Sequence, residues 1–107
     1  RDYIHVSDLA QAHVDVLDYL RNGGTSEIFN VGYGRGFSVL EVVRAIEEVS
    51  GRKVPLKFEA RRAGDCARII SSNDKILEMT KWRPKYDDIK QIVSDSLRWE
   101  EKMKSLK

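Results

Sequence analysis

Asn30-Val31-Gly32-Tyr33-Gly34-Arg35-Gly36-Phe37-Ser38-Val39-Leu40-Glu41 runs from a β-like segment through a glycine-rich loop into a helix. How this loop is read decides what kind of α/β unit the chain is. Ser38 and Glu41 have capping-box spacing, which places a helix N-terminus at the end of the loop. A dinucleotide-binding loop in this place has the spacing G-x-G-x-x-G, which needs glycine at position 37, and that residue is Phe37. Ser38 also caps the helix end that a pyrophosphate would occupy. The loop therefore reads as a tight strand-to-helix turn, and no cofactor contact is assigned to it.

On the N-terminal side of the loop, Tyr3-Ile4-His5-Val6 reads as a short strand. Ser7 serves as N-cap and Asp8 falls in the first helical turn. Leu9, Ala12, His13, Val16, Leu17 and Leu20 share one helical stripe, which Asn22-Gly23-Gly24 ends. Glu27 to Val31 reads as a second strand. Beyond the loop, Val39, Val42, Val43, Ile46 and Val49 define the buried side of a helix that stops at Ser50-Gly51. Val54, Leu56 and Phe58 alternate as a strand, and Pro55 places it at a sheet edge. Ser72 or Asn73 opens a short helix through Met79, ended by Trp82-Arg83-Pro84. A last helix begins near Asp87 or Asp88 and turns Ile89, Ile92, Val93, Leu97 and Met103 inward, with a frayed tail from Lys102 to Lys107. The order is β-α-β-α-β-loop-α-α, an α/β unit with a few short strands and about four helices. So small a sheet seldom covers so many apolar helix faces, which points to a partner surface in another domain.

The loop after the third strand is Phe58-Glu59-Ala60-Arg61-Arg62-Ala63-Gly64-Asp65. Arginine is the side chain best shaped for a diphosphate, because its planar fork offers parallel donors and keeps its charge. Asp65 is acceptor-only when ionised and suits neighbouring sugar hydroxyls. Gly64 lets the backbone turn between them. On these eight residues alone a solvated basic loop is the simpler reading, and a nucleotide clamp is the sharper one. Arg1 and Tyr3, two apart on a strand, share a face and form a second candidate for phosphate and hydroxyl or ring contact. Two arginines from distant segments would make an anchor if the fold joins them.

Composition narrows the classes. The 107 residues suit one domain, and 41% hydrophobic with 34% charged residues describes a globular fold with a well-solvated exterior. The 19 basic and 17 acidic residues are interspersed for a net +2, without the massed basic face of a nucleic-acid binder. No run approaches the ~18 apolar residues of a membrane span. The single Cys66 suits a reducing, cytoplasmic setting. The chain starts at Arg1 without methionine, as a fragment of a longer protein or a processed product would.

Several patterns look like chemistry and are read as structure. Tyr86-x-x-x-Lys90 matches a dehydrogenase pair, yet Tyr86 precedes the helix N-cap, so the two side chains do not share a helical face. Among His5, Asp8 and His13, His5 lies on the strand and His13 on the inward face of the helix. Two histidines and one cysteine are too few for a closed zinc site, and no metal is assigned to them. Cys66 has a carboxylate neighbour and no base, and reads as a spectator thiol. Tyr33, Trp82 and Trp99 read as packing residues.

Taken in order and spacing, Arg1 to Ala10, Asn30 to Val39, Arg61-Arg62-Ala63-Gly64-Asp65 and Trp82-Arg83-Pro84 resemble the C-terminal portion of the UDP-glucose 4-epimerases, within the extended short-chain dehydrogenase/reductase family. The resemblance spans nearly the whole chain. It implies a Rossmann-type enzyme whose N-terminal domain, outside residues 1–107, binds NAD and carries the catalytic Ser or Thr and the Tyr-x-x-x-Lys. Residues 1–107 would then be the substrate-binding portion, inactive alone and docked on that missing domain. By motif match Arg1 and Arg62 would hold the UDP diphosphate, Asp65 the uridine ribose, and Tyr3 would line the same site. The implied reaction removes hydride from C4 of the hexose and returns it to the other face, and the parent enzyme is a candidate homodimer. The chain departs from the family at Cys66, where proline is common, at Thr80-Lys81, where Leu-Gly is usual, and at Ile69, where some members have tyrosine. The smaller Ile69 keeps UDP-GlcNAc/UDP-GalNAc interconversion open beside UDP-glucose/UDP-galactose. A nucleotide-sugar dehydratase or decarboxylase portion and a non-catalytic nucleotide-sugar module are the other readings.

Overall fold

The computed structural model describes residues 1–106 and builds four helices: α1 (Val6–Arg21), α2 (Val39–Ser50), α3 (Asp74–Met79) and α4 (Ile89–Ser105). Their starts follow from local chemistry. At α2 the expected capping box is complete: Ser38 Oγ accepts from the Glu41 N–H at 3.1 Å and Glu41 Oε1 accepts from the Ser38 N–H at 3.0 Å. Gly51 ends that helix at φ 71°, a left-handed conformation that a β-carbon would strain. Asp88 opens α4, its carboxylate accepting from the Lys90 N–H at 3.0 Å.

α1 starts two residues earlier than the sequence suggests. His5, not Ser7, is the N-cap, because its ring Nδ1 reaches the Ser7 N–H at 3.0 Å. His5 therefore belongs to a cap and not to a strand. The tail expected to fray also differs as far as it is described, since α4 continues through Ser105 with Lys102 and Lys104 in its last turn, where cations suit the helix dipole; Lys107 lies outside the described residues.

The strands are the main correction. Among the described residues there is no β-strand. Glu27 to Val31 and Val54 to Phe58 are irregular connections, and Val6 is helical. Alternation and β-branching make a segment ready for a sheet, but a strand exists only when a neighbour completes its hydrogen-bond ladder. One such exchange survives: Arg1 and Phe37 trade backbone bonds in both directions, each 2.8 Å.

Two small cores hold the helices. Ala12 of α1, Ile76 of α3 and Trp82 pack together, flanked by Ile4, Val16, Phe29, Val31 and Leu77. α2 packs on α4, burying Val43, Ala45 and Val93. Trp82 is fully buried as expected, whereas Trp99 on α4 is largely exposed.

α1 turns only part of its apolar stripe inward, at Ala12 and Val16 of the Trp82 core. Its buried positions are Asp8, Ala12 and Asp15, while Leu9, Leu17 and Leu20 lie exposed and His13 faces solvent with them. Val39 and Val49 of α2 are exposed too. The chain as a whole shows 8343 Å² of surface, where a compact monomer of 12.3 kDa would show about 6,100 Å². Its radius of gyration is 16.9 Å against about 13 Å for a compact chain of this length. Among the described residues no helix is long and apolar enough to cross a membrane.

Candidate anion-binding site

Arg1 and the 61–66 loop, at opposite ends of the motif series, come together. The Arg1 guanidinium donates to Asp65 Oδ1 at 3.0 Å and to the Cys66 carbonyl at 2.9 Å. Arg62 reaches the other oxygen, Asp65 Oδ2, at 3.6 Å. The loop geometry explains the spacing of these residues. The Asp65 N–H bonds to the Arg62 carbonyl at 3.2 Å and Gly64 sits at φ 77°, the arrangement a type II turn requires at its third position. The turn puts Arg62 and Asp65 on one side. The Arg62 side chain is 85% exposed and has no other salt-bridge partner among the described residues, so its fork is available to a ligand.

Tyr3 and Ile69 are not part of this cluster's contacts. Tyr3 lines an apolar recess between α2 and α4 with Val42, Ile46, Ile92 and Val93. Ile69 is exposed, and its neighbour Ile70 packs near Gly36.

The glycine loop has a role that spacing alone did not show. The Asp2 carboxylate accepts from the N–H groups of Tyr33 (3.1 Å), Gly34 (3.0 Å) and Ser71 (3.2 Å). A carboxylate already occupies the cradle where a dinucleotide pyrophosphate would lie, so these residues do not fit that part of NAD. A β-carbon on Gly32 would stand 2.7 Å from Asp2 Oδ2 and from Ser71 Cβ, which explains the glycine. Arg35 fastens the loop to the start of α4 through Asp87 Oδ1, at 2.7 Å and 3.1 Å. No local signal marked Asp2, because its partners lie 31, 32 and 69 residues away.

A second carboxylate, Asp8, is buried at the start of α1. It accepts from Tyr33 Oη at 2.6 Å, the Lys85 N–H at 3.0 Å and the Tyr86 N–H at 2.9 Å. Burial, then the bond to Asp8, pushes the Tyr33 phenol well above its ordinary value. A raised folded pKa adds stability that is complete below the unfolded value of about 10 and is lost as pH rises beyond it. Melting of the protein at pH 8 and pH 11 should therefore show an alkaline loss that shrinks in Tyr33→Phe; an unchanged loss would contradict this role for Tyr33.

His5 Nε2 meets Asp95 Oδ2 at 2.7 Å, and its ring stacks on Tyr86 with centroids 4.7 Å apart. Bonds from Gln91, then His5, then Arg98 hold the Asp95 carboxyl far below the usual carboxylate range. Because Ser7 donates to Nδ1, Nε2 is the ring's donor, and His5 acts as a splice between α1 and α4. Lys90 turns the other way, pairing with Glu48 at 2.9 Å, so the Tyr86-x-x-x-Lys90 spacing does not form a functional pair.

A UDP-glucose 4-epimerase of Azospirillum brasilense is 55% identical over 100 residues, covering 94% of this chain and 29% of that protein. The chain is homologous to the C-terminal portion of UDP-glucose 4-epimerases. The NAD dependent epimerase/dehydratase family profile matches residues 1–32. The UDP-Glc/GlcNAc 4-epimerase of Campylobacter jejuni superposes with a TM-score of 0.87 at 47% identity, over 95% of this chain and 31% of that one. UDP-glucose-4-epimerase from Stenotrophomonas maltophila, solved with bound NAD and formylated UDP-arabinopyranose, gives a TM-score of 0.93 at 36% identity, over 100% of this chain and 32% of that one. The chain thus spans about a third of the length of the relatives it matches.

Proposed function

We propose that residues 1–107 form the C-terminal, substrate-holding portion of a cytoplasmic, NAD-dependent UDP-hexose 4-epimerase. The observation that carries this reading is the meeting of Arg1 and Arg62 at Asp65, since the first pair lies 64 residues apart in sequence. In this reading NAD and the catalytic Ser or Thr and Tyr-x-x-x-Lys belong to an N-terminal Rossmann domain outside this chain. That domain would cover the exposed apolar stripe of α1 and supply partners for the segments that form no sheet here. This portion alone would be inactive. NAD would supply hydride removal and return, and residues 1–107 do the holding.

Arg1 and Asp65 are about a third exposed, so their ion pair is screened and worth at most about 1 kcal/mol. A diphosphate offers both guanidinium groups stronger, charge-assisted bonds, and they can turn to it cheaply. Asp65 retains lone pairs beyond those its arginines use, enough to accept from ribose hydroxyls. Tyr3 would flank the nucleotide and Ile69 the hexose. Firm contacts to UDP and few to the sugar leave the hexose free to present either face, which is positioning and not bond-making.

Calorimetric titration of the intact protein with UDP tests the site. Arg62→Ala should bind UDP at least about tenfold more weakly, the effect of one charge-assisted contact. Equal affinity would remove the assignment. Turnover on both the UDP-glucose and UDP-GlcNAc pairs, run beside it, decides whether exposed Ile69 admits an N-acetyl group.

A further inference from the structure

We propose that Asp2 is a positioning residue for the nucleotide site, acting through Arg1. The proposal rests on the reading of Arg1 and Arg62 as diphosphate ligands. Arg1 has to meet a loop far along the chain, and its own bonds to Asp65 and Cys66 are exposed. Something less exposed must set where its backbone lies. Two features do so. Arg1 and Phe37 exchange both backbone bonds at 2.8 Å, which ties Arg1 to the end of the glycine loop. The adjacent Asp2 carboxylate then binds Tyr33 and Gly34 at the start of that loop and Ser71 just beyond the arginine-bearing segment.

Asp2 Oδ2 is the junction, because it alone receives both the Gly34 and the Ser71 N–H. It holds the glycine loop, which carries Arg1, in register with the chain that returns from Asp65 and Cys66. An ionised carboxylate is suited to this, since both oxygens accept and neither presents a proton to the N–H groups. Asparagine of the same shape must turn its NH2 toward one of those donors, which opens the junction without removing bulk. Gly36 closes the same bracket from the far side, where a β-carbon would lie 3.1 Å from Ile70 and 3.4 Å from the Arg1 carbonyl.

A double-mutant cycle in the intact protein, read by calorimetric UDP affinity with melting recorded alongside, tests this. Asp2→Asn should weaken UDP binding by about tenfold, the scale of one misplaced charge-assisted contact. In an Arg1→Ala background the same change should cost less than about twofold, because the contact it positions is already gone. Equal loss in both backgrounds, or no loss in either, overturns the proposal. Should Asp2→Asn fail to fold, Gly32→Ala disturbs the junction from the opposite side with the carboxylate intact, and it should show the same dependence on Arg1. If Arg1→Ala and Arg62→Ala both bind UDP as the parent does, the nucleotide reading itself falls. Loss in those two with none in Asp2→Asn or Gly32→Ala overturns the positioning role alone.

Discussion

Asp8→Ala should lower the melting temperature of the protein by more than about 10 °C, given about 3 kcal/mol or more of lost stability at 4–8 °C per kcal/mol. The carboxylate is 1% exposed and gathers three donors from two other segments: the Tyr33 hydroxyl and the N–H groups of Lys85 and Tyr86. Removing it strands these donors where water has little access, and each unsatisfied buried group costs about 1–3 kcal/mol. Asp8→Asn separates shape from chemistry. It fills the same space but turns an N–H donor toward other donors, so it should fall between alanine and the parent. An Asp8→Ala protein that melts within about 2 °C of the parent would show that this junction adds little, against the cost expected for buried unpaired donors.

Trp82→Ala should destabilise by about 3–5 kcal/mol, the range for truncating a buried aromatic. Trp82 is 0% exposed and joins α1 to α3 through Ala12 and Ile76. Its Nε1 also donates to the Asp8 carbonyl at 3.0 Å, fixing the first turn of α1 from beneath. Trp82→Phe keeps most of the packing and drops that donor, and should cost about 1–2 kcal/mol for the lost bond and the shape change. Because Asp8 and Trp82 touch, their effects should not add, and the double variant should fall short of the sum in denaturant melts. Full additivity would mean that the two act on separate parts of the fold.

How far the sequence reveals this arrangement depends on whether the determinants are local. Ser38 and Glu41 cap α2 within one turn, and Gly51 and Gly64 mark positive-φ positions, so these features can be read directly. Trp82 beside Pro84 was also recognisable as core. The spacing of the α1 stripe turns it all inward, yet only Ala12 and Val16 pack in the core, while Leu9, Leu17 and Leu20 face solvent and Asp8 and Asp15 are buried. Periodicity reports that a face is apolar but not what covers it. The strands failed for a related reason, since a ladder needs a partner that periodicity cannot supply. Residue type alone singles out Arg1, Arg62 and Asp65, and the fold brings the three into contact. It does not single out Asp2, because an aspartate beside an arginine gives no sign of three N–H groups far along the chain. The β-propensity around His5 points to a strand and gives no sign of the cap that its ring forms.

The carboxylate seated in the glycine loop also bears on selectivity. Successive backbone N–H groups attract whatever anion is at hand. Those of Tyr33, Gly34 and Ser71 are saturated by a group that is covalently part of the chain and therefore always present. Free phosphate cannot compete with a tethered rival at such high effective concentration. The loop is thus indifferent to the anion content of its surroundings, and on the proposed reading any choice among phosphorylated molecules falls to Arg1 and Arg62.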